Sequence, residues 1–388
     1  MKLKHHFIDE TNFYFSFYEK QHVPSICKKI SFNNTVLSET KNSNNDKLAS
    51  KIIVLNLIPN YLNLELKKGL YSKKSTHKPG LAVNLTKGFN NIDDYLKTQC
   101  SPKLRKVVTR SVKRLESCFN IKYNMFYGHI SKADCDLLMG KLYNMIENRF
   151  KQRSGRNTIL RQWDHYMDLA FNGINKKTAS LFVIFSNGQP IEISLNFIYD
   201  NIMFSYISSY DLDYAKFGLG HINYYKKVDW CIKNKIDLFD MGHGDFAYKR
   251  QWANMDYNFE TIYVSNKKSV FLQLFTFLHH SKTKLIHYLI LKRVNYWIHD
   301  TIDKFRNIDK TYVPGSYKTF DANGQPYEKD SLDINAKDLF YLRKPVFDHA
   351  YRHQEHIDDL KVYKSQTDRN TYIIKGKKSK SGFKFNPQ

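Results

Sequence analysis

Apolar residues recur at helical spacing after Ser101-Pro102, a pair that supplies an N-cap and a proline at the first helical position. The apolar stripe of this first helix consists of Leu104, Val107, Val108, Val112 and Leu115. Its opposite face carries the cations Lys103, Lys106, Arg110, Lys113 and Arg114. A second amphipathic helix follows, with a predicted buried side of Leu137, Leu138, Leu142, Met145, Ile146 and Phe150.

The hydrophobic period then changes to two. Strands are predicted at 179–186, 191–199 and 202–208, and Asn187-Gly188-Gln189-Pro190 is a hairpin signal between the first two. They are followed by a helix at 218–234 and by strands at 237–240 and 259–264. Helices, antiparallel strands and a crossover in this order indicate a mixed α/β sheet.

The flanking regions carry weaker patterns. Residues 1–90 contain the strand-like pieces FYFSFY, KIIVLNLI and GLAVNL, with a polar surface loop at 41–47. Residues 269–306 have a helical pattern that mixes aromatics and leucines with Lys and His. Residues 311–388 are polar and Tyr-rich, and their basic run KGKKSKSGFK is predicted to be a mobile tail.

Composition narrows the class of protein. The 388 residues are 42% hydrophobic, so the formal charge of +24 lies on a folded chain and favours polyanionic partners without choosing among them. The five cysteines form no C-x-x-C pair, so neither a zinc site nor a disulfide framework is indicated and a reducing compartment is expected. No secretory signal is recognised, and the apolar stretch at 269–278 is too short to span a bilayer. A soluble or peripheral protein is expected.

Candidate chemistry lies in two glycine-containing segments. Gly218-Leu219-Gly220 follows a strand and opens a helix, which places backbone N–H groups where a phosphate could bind, with Lys216 nearby. The alternative is a tight loop that merely needs glycine. Asn223 replaces the third glycine of a dinucleotide fingerprint, and no P-loop motif occurs. The second segment, DMGHGD at 240–245, ends in Tyr248-Lys249 and indicates either a ligand site or a polar turn.

The segment FGLGHINYYKKVDWCIKNKIDLFDMGHGDFAYKRQW resembles the GNAT acetyltransferase family of the CelD-like type, which is associated with cellulose and polysaccharide biosynthesis and is related to the Fem peptidyltransferases. Met241 stands where that family commonly has an aromatic residue. The resemblance covers roughly 91–265. It implies a GNAT-like mixed sheet flanked by helices, or two tandem GNAT-like halves, the first degenerate and formed by 1–90. A helical segment at 266–310 and a polar extension at 311–388 complete the predicted organisation.

The resemblance also implies a cofactor site. Acetyl-CoA, or another acyl-CoA, would lie between the strands at 202–208 and 237–240, and no metal is expected. The cofactor-binding residues would be Ser205, Ile207, Lys216, Gly218, Leu219 and Gly220.

For catalysis, Tyr248 and Lys249 would belong to the site, Lys249 would stabilise developing negative charge, and Asp245, His243 or His221 would accept the proton. Each has an ordinary alternative, such as a turn cap, an exposed loop histidine or a surface lysine. The dipole at the start of the helix is expected to keep His221 neutral. Arg149, Arg153 and Arg156 could line the acceptor side or only solubilise the surface.

The predicted reaction is acyl transfer to an amine or hydroxyl of a cell-envelope sugar or polysaccharide precursor. Expected partners are acyl-CoA, a sugar or lipid-linked precursor and an anionic membrane surface, with no specific nucleic acid. The expected location is the cytoplasm or the inner face of the membrane. The basic face of the first helix would either attract these anions or simply be solvated. Three alternatives stay open. The first is a Fem-like transferase that uses aminoacyl-tRNA, and the second is a non-enzymatic basic protein that binds nucleic acid or membrane surfaces. The third is a catalytically idle GNAT scaffold held at the membrane by residues 269–306.

Overall fold

The computed structural model describes residues 8–40, 51–153, 159–244, 246–291, 317–322 and 324–385. Its strands are β1 (Ile8–Asn12), β2 (Cys27–Phe32), β3 (Thr35–Glu39), β4 (Ile52–Pro59), β5 (Leu62–Leu66), β6 (Leu70–Asn84), β7 (Ile121–Phe126), β8 (Ala179–Ser186), β9 (Gln189–Tyr199), β10 (Ile202–Tyr210), β11 (Leu238–His243), β12 (Met255–Asn266), β13 (Tyr317–Phe320), β14 (Lys361–Lys364), β15 (Thr371–Lys375) and β16 (Lys380–Phe385). Its α-helices are α1 (Phe13–Tyr18), α2 (Ile92–Gln99), α3 (Pro102–Cys118), α4 (Lys132–Arg153), α5 (Trp163–Asn175), α6 (Leu219–Lys233), α7 (Ala247–Arg250), α8 (Val270–Leu291) and α9 (Arg343–His353).

The chain divides into two compact units, each built from separate stretches of sequence. Unit 1 consists of Met1–Gly88, Phe197–Phe204 and Lys235–Lys310. Unit 2 consists of Phe89–Asn196, Ser205–Asn234 and Thr311–Gln388. The domain boundaries expected from the sequence, after residues 90, 265 and 310, stay a prediction.

Unit 1 contains a mixed sheet. In the order β1-β4-β12-β6-β11, β1 and β4 are parallel, whereas β12 runs antiparallel to both of its neighbours and β11 antiparallel to β6. The first residues of β10 then pair in parallel with β11. A second, smaller sheet has the order β3-β2-β5. The mixed α/β class predicted from the sequence is confirmed.

The piece FYFSFY, predicted as a strand, is helix α1, so that prediction is wrong. The side chain of Asn12 accepts a hydrogen bond from the backbone N–H of Phe15 and caps the helix. Phe13, Phe17 and Tyr18 are fully buried, a spacing that suits a helix face. Because almost every position of the hexapeptide is aromatic, its sequence fits a period of two as well as a helical period.

Most of the helices and strands whose bounds were predicted correctly belong to unit 2. Strand β8 has the predicted limits, and Asn187 and Gly188 adopt φ angles of 48° and 77°, the left-handed pair that a tight hairpin requires. Ser101 caps α3 by accepting from the N–H of Leu104. In α4, Leu137 is 57% exposed, so its predicted burial is wrong. It lies beside the buried stripe of Cys135, Leu138, Met139 and Leu142.

The last part of unit 2 is folded, in contrast to the mobile tail predicted for the basic run. Strands β13-β16-β15-β14 form an antiparallel sheet, in which β16 contains the second half of the predicted tail. Tyr372, Ile374 and Phe383 are buried in a cluster with Phe119 and Phe217. The prediction failed because apolar residues that alternate with lysines here form one buried face of a strand.

Within the described residues, no helix is long and apolar enough to cross a lipid bilayer. The described ranges also contain no group of three or more His, Cys, Asp or Glu side chains placed to hold a metal ion. All five cysteines are free and buried.

Candidate functional site

The parallel ladder between β10 and β11 is short. Its described pairs end at Phe204 and Asp240, whereas β10 continues to Tyr210. Ser205 is half-buried, Ile207 is buried and Ser208 is exposed. Beyond Phe204, β10 has β9 as a neighbour on one side, whereas its other side has no further described pair with β11. Such a side presents unpaired N–H and C=O groups, so it offers backbone hydrogen bonds to a ligand.

Helix α6 begins at Leu219, directly after Gly218. Gly218 has φ 71° and ψ 38°, and a Cβ there would lie 2.9 Å from Oγ of Ser111, so both the conformation and the space require glycine. No side chain caps the helix. The first hydrogen bonds of the helix run from the N–H groups of His221 and Ile222 to the carbonyl of Gly218, so the N–H groups of Leu219 and Gly220 donate none within the helix itself. A Cβ on Gly220 would meet no atom within 4 Å, so this helix start faces open space.

Two predicted residues beside this helix start have their own environments. Nζ of Lys216 lies 3.0 Å from Oδ2 of Asp348, so its charge already has a counter-ion within unit 2. Burial lowers the pKa of His221, so its imidazole is neutral near pH 7. All of the predicted cofactor residues, and His221 with them, belong to the stretch Ser205–Asn234 of unit 2.

A buried polar network connects β9 and β10 with α6. Oε1 of Glu192 accepts hydrogen bonds from Nδ2 of Asn223 and, at 3.2 Å, from Oγ of Ser208. Oε2 of Glu192 and Oδ1 of Asn223 are buried without a hydrogen-bond partner. Burial raises the pKa of Glu192 to about 8, although the charge of Lys227 opposes the shift. The carboxyl is therefore mostly protonated at neutral pH. It accepts a hydrogen bond from Ser208, an exposed residue in the second half of β10.

Lys227, one turn after Asn223, is 1% exposed. Its Nζ donates to Oγ of Ser194 at 3.0 Å, to Oδ1 of Asn196 at 3.3 Å and to Oγ of Ser205 at 2.8 Å. The hydroxyl of Ser205, predicted to face a cofactor, is thus directed at α6. The buried ammonium group has several acceptors, as a buried charge requires.

The network also reveals an irregularity in β10. Ser205 and Ser208 both contact α6 side chains, although residues three apart in a regular strand point to opposite faces. The strand therefore changes its facing between these residues, as a β-bulge does. The change falls just beyond the last pair with β11.

Glu192 and Lys227 were not predicted from the sequence, although polar residues at core positions of two elements indicate them. Glu192, Ser194 and Asn196 alternate along a strand otherwise rich in apolar residues, and Asn223 and Lys227 are one turn apart on a helix. Polar residues at matching core positions of two neighbouring elements indicate a shared buried network. Their pairing across 31 positions cannot be assigned from local patterns.

In unit 1, Asp240 is fully buried in the middle of β11. Its Oδ2 accepts hydrogen bonds of 2.6 Å from the phenols of Tyr14 and Tyr61. Its Oδ1 accepts from Tyr257, also at 2.6 Å, and from the N–H of Gly242 at 2.7 Å. Burial raises the pKa of Asp240, whereas the four donors oppose that shift. The carboxyl thereby anchors the glycine-containing turn.

The predicted catalytic residues of that turn lie in unit 1. Nζ of Lys249 donates to the carbonyls of Met241 at 2.7 Å and His243 at 3.1 Å, and burial lowers its pKa. Desolvation lowers the pKa of His243 as well, helped by the charges of Lys78 and Lys249. Tyr248 is 47% exposed and stacks on Phe246. Asp245 lies outside the described residues.

The predicted basic face of α3 is largely solvated. Lys103, Lys106, Arg110 and Lys113 are exposed. Arg114 instead lies 4.3 Å from the ring centroid of Tyr351 and donates to its carbonyl. Arg149 lies 5.0 Å from the ring centroid of Tyr210. The side chains of Arg153 and Arg156 are outside the described part of the chain.

Comparison with protein families gives a match to the acetyltransferase (GNAT) domain over residues 102–250. This match supports the GNAT fold for that region. It begins with α3, includes β10 and α6, and ends with α7. The protein thus has an acyltransferase-like fold, and the CelD-like subtype stays a prediction.

Solved structures similar to this chain include FemX, with 9% identity and a TM-score of 0.40, covering 54% of this chain and 68% of that chain. L-PGS from Bacillus licheniformis has 12% identity and a TM-score of 0.34, covering 60% and 74%. A conserved protein of unknown function from Bacteroides thetaiotaomicron VPI-5482 has 6% identity and a TM-score of 0.38, covering 55% and 70%. No curated protein gives a significant sequence match.

Proposed function

We propose that this protein transfers an acyl group from coenzyme A to an amine or hydroxyl of a cell-envelope sugar or polysaccharide precursor. One arrangement in unit 2 carries the proposal: the second half of β10, beyond its last pair with β11, leads through Gly218 into the start of α6, which no side chain caps. The GNAT match over residues 102–250 includes both elements. The acceptor class implies a cytoplasmic enzyme that works beside the inner face of the membrane.

The start of α6 suits the pyrophosphate of coenzyme A. The N–H groups of Leu219 and Gly220 and the positive end of the helix attract an anion, and the space beside Gly220 is open. The pantetheine arm would then bond the backbone of β10 beyond Phe204, near Ser205 and Ile207. Lys216 would contribute only after leaving Asp348, which makes it the weakest of the predicted phosphate ligands.

The reaction requires a nucleophile, a proton acceptor and a site for the oxyanion. The acceptor amine or hydroxyl attacks the thioester carbonyl, the C–S bond breaks, and coenzyme A leaves as a thiol. Neutral His221 and His243 can each accept a proton, and Asp245 keeps its predicted role as an alternative base. Lys249 donates to two backbone carbonyls among the described residues and keeps its predicted role of stabilising developing negative charge, and Tyr248 keeps its predicted place in the same site.

Gly220→Glu tests the cofactor site. A glutamate in the first turn of a helix is favourable for folding, and here it has room, but its charge would repel a pyrophosphate. We expect acetyl-CoA binding, measured by calorimetry, to weaken about tenfold or more. Gly140→Glu is the matched control, because Gly140 is also a helical glycine facing open space, in α4. It should bind like the wild type.

The ligand panel decides between acyl donors. Acetyl-CoA, a long-chain acyl-CoA and charged tRNA are each added to the full chain in a thermal-shift assay. Stabilisation by an acyl-CoA, lost in Gly220→Glu alone, supports the proposal. Stabilisation by charged tRNA only would favour the Fem-like reaction, and no effect of any acyl-CoA would overturn the proposal.

A further inference from the structure

Within the part of the chain that the structure describes, helix α8 of unit 1 packs through one side. Leu272 packs with Ile52, Val54 and Tyr263. One turn further along, Thr276 is fully buried, and after the next turn Nε2 of His280 lies 2.9 Å from the carbonyl oxygen of Lys74. Contacts at residues 272, 276 and 280 fix the rotation of the helix about its axis, because residues four apart lie on one face.

The opposite side of α8 is apolar and exposed. Val270, Phe271 and Leu274 are 78%, 66% and 58% exposed, and Leu285 near the described end is 59% exposed. The other large apolar side chains on this face are Phe275, Phe277 and Leu278, which are 44%, 48% and 54% exposed. A contiguous surface of this kind marks an interaction site, because single exposed leucines are ordinary but a whole helix face is not.

The charges around this face identify the occupant. Lys267 and Lys268 precede the helix, and Lys282 and Lys284 lie on its later turns, all exposed. Residues 261–299 contain no Asp or Glu. An apolar face with cations at both ends is complementary to an anionic bilayer, in which the acyl chains contact the apolar side chains and the anionic headgroups bind the lysines. Two copies packed through this face would instead bring like charges together.

We propose that α8 docks the protein on anionic lipid bilayers, lying in the plane of the interface with Phe271 and Leu274 inserted among the lipids. The described helix is not apolar enough to span a bilayer, which agrees with an in-plane position. The docking surface belongs to unit 1 and is independent of the acyl-CoA site proposed in unit 2.

Vesicle co-sedimentation of the full chain tests this proposal without any acyl-CoA. Wild-type protein should bind phosphatidylglycerol-containing vesicles at least about tenfold more tightly than pure phosphatidylcholine vesicles. Phe271→Glu/Leu274→Glu should lose about tenfold or more of the binding. The matched control Val36→Glu/Leu137→Glu adds the same charge at two exposed apolar positions and should lose far less.

Two further variants separate the contributions and guard against misfolding. Phe271→Ser/Leu274→Ser removes apolar surface without adding charge, and Lys282→Gln/Lys284→Gln should weaken the preference for anionic lipid. Equal loss in the α8 variant and its control would overturn the proposal, as would absence of vesicle binding by the wild type. A wild-type dimer that α8 substitutions dissociate, without vesicle binding, would overturn it in favour of self-association. None of these results depends on acyl transfer.

Discussion

The phenol of Tyr257 donates a 2.6 Å hydrogen bond to Oδ1 of Asp240, and both groups are buried. Tyr14 and Tyr61 bond the other carboxyl oxygen, so residues far apart in sequence converge on one side chain. The N–H of Gly242 bonds the same carboxyl. This arrangement fixes the backbone that leads from β11 to Lys249.

Replacing Asp240 should therefore destabilise the protein strongly. Asp240→Ala leaves buried phenols without an acceptor, and Asp240→Asn places an amide donor against a phenol donor. We expect each to lower the free energy of unfolding by about 2–4 kcal/mol, measured by urea denaturation. Asp256→Asn is the control, because Asp256 is exposed and its carboxylate pairs with Arg250 at the surface. A loss as small as the control's would show that the tyrosines do not depend on Asp240.

The raised pKa of Glu192 predicts a loss of stability with rising pH. The unfolded chain releases this proton near pH 4.5, whereas the folded protein holds it up to about pH 8. The contribution of Glu192 is therefore complete below the lower value and is lost as the pH rises through the upper one. At about 1.4 kcal/mol per pKa unit, the loss is up to roughly 5 kcal/mol.

Glu192→Gln isolates that contribution. The substitution keeps the size of the side chain and an oxygen that accepts from Asn223 and Ser208, but it removes the titration. Urea denaturation between pH 5 and pH 9 should show the difference between variant and wild type growing in favour of the variant. Parallel profiles would mean that Glu192 ionises in the folded protein at its ordinary pKa.

Removing the charge of Lys227 should shift the pKa of Glu192. The ammonium group opposes the upward shift of the pKa of Glu192, so Lys227→Met should raise that pKa further. The variant also loses three hydrogen bonds and should be less stable by about 2–4 kcal/mol. The pH profile of unfolding measures both effects. Lys233→Met, on the exposed side of the same helix, should change neither by much.

Local sequence signals predicted the parts of the fold that local forces determine. Asn187-Gly188 sets the hairpin and Ser101-Pro102 sets the start of α3, since both depend on a few neighbouring residues. The packing of Tyr14 in FYFSFY against Phe204 and Phe259, and the burial of Phe383 in a cluster with Phe119, depend instead on residues distant in sequence. The mixed α/β class followed from the order of the elements, which is why it was predictable without exact bounds, whereas the GNAT-like fold followed from the family resemblance carried above all by residues 217–252.

The residues of the candidate site likewise divide into those that local sequence signals predicted and those that they did not. The helix start at Gly218 was recognisable because this residue adopts a left-handed backbone conformation that favours glycine. The network of Glu192 and Lys227 was not, because its partners come from three elements that meet only in the folded protein. Likewise, no local signal predicted that Lys216 pairs with Asp348 from α9.

Alanine at the two glycines of this helix start should have opposite effects on stability. Gly218→Ala introduces a Cβ 2.9 Å from Oγ of Ser111 at a left-handed residue, so we expect a loss of about 1–3 kcal/mol. Gly220→Ala fills open space in a helical residue and should add about 0.5–1 kcal/mol. Thermal or urea unfolding measures both. Ser111→Ala in the Gly218→Ala background should recover only part of the loss, because shortening the neighbour removes the close contact but leaves the strained φ. Full recovery would mean that the contact alone requires glycine, and equal effects of the two alanines would contradict the geometry of this helix start.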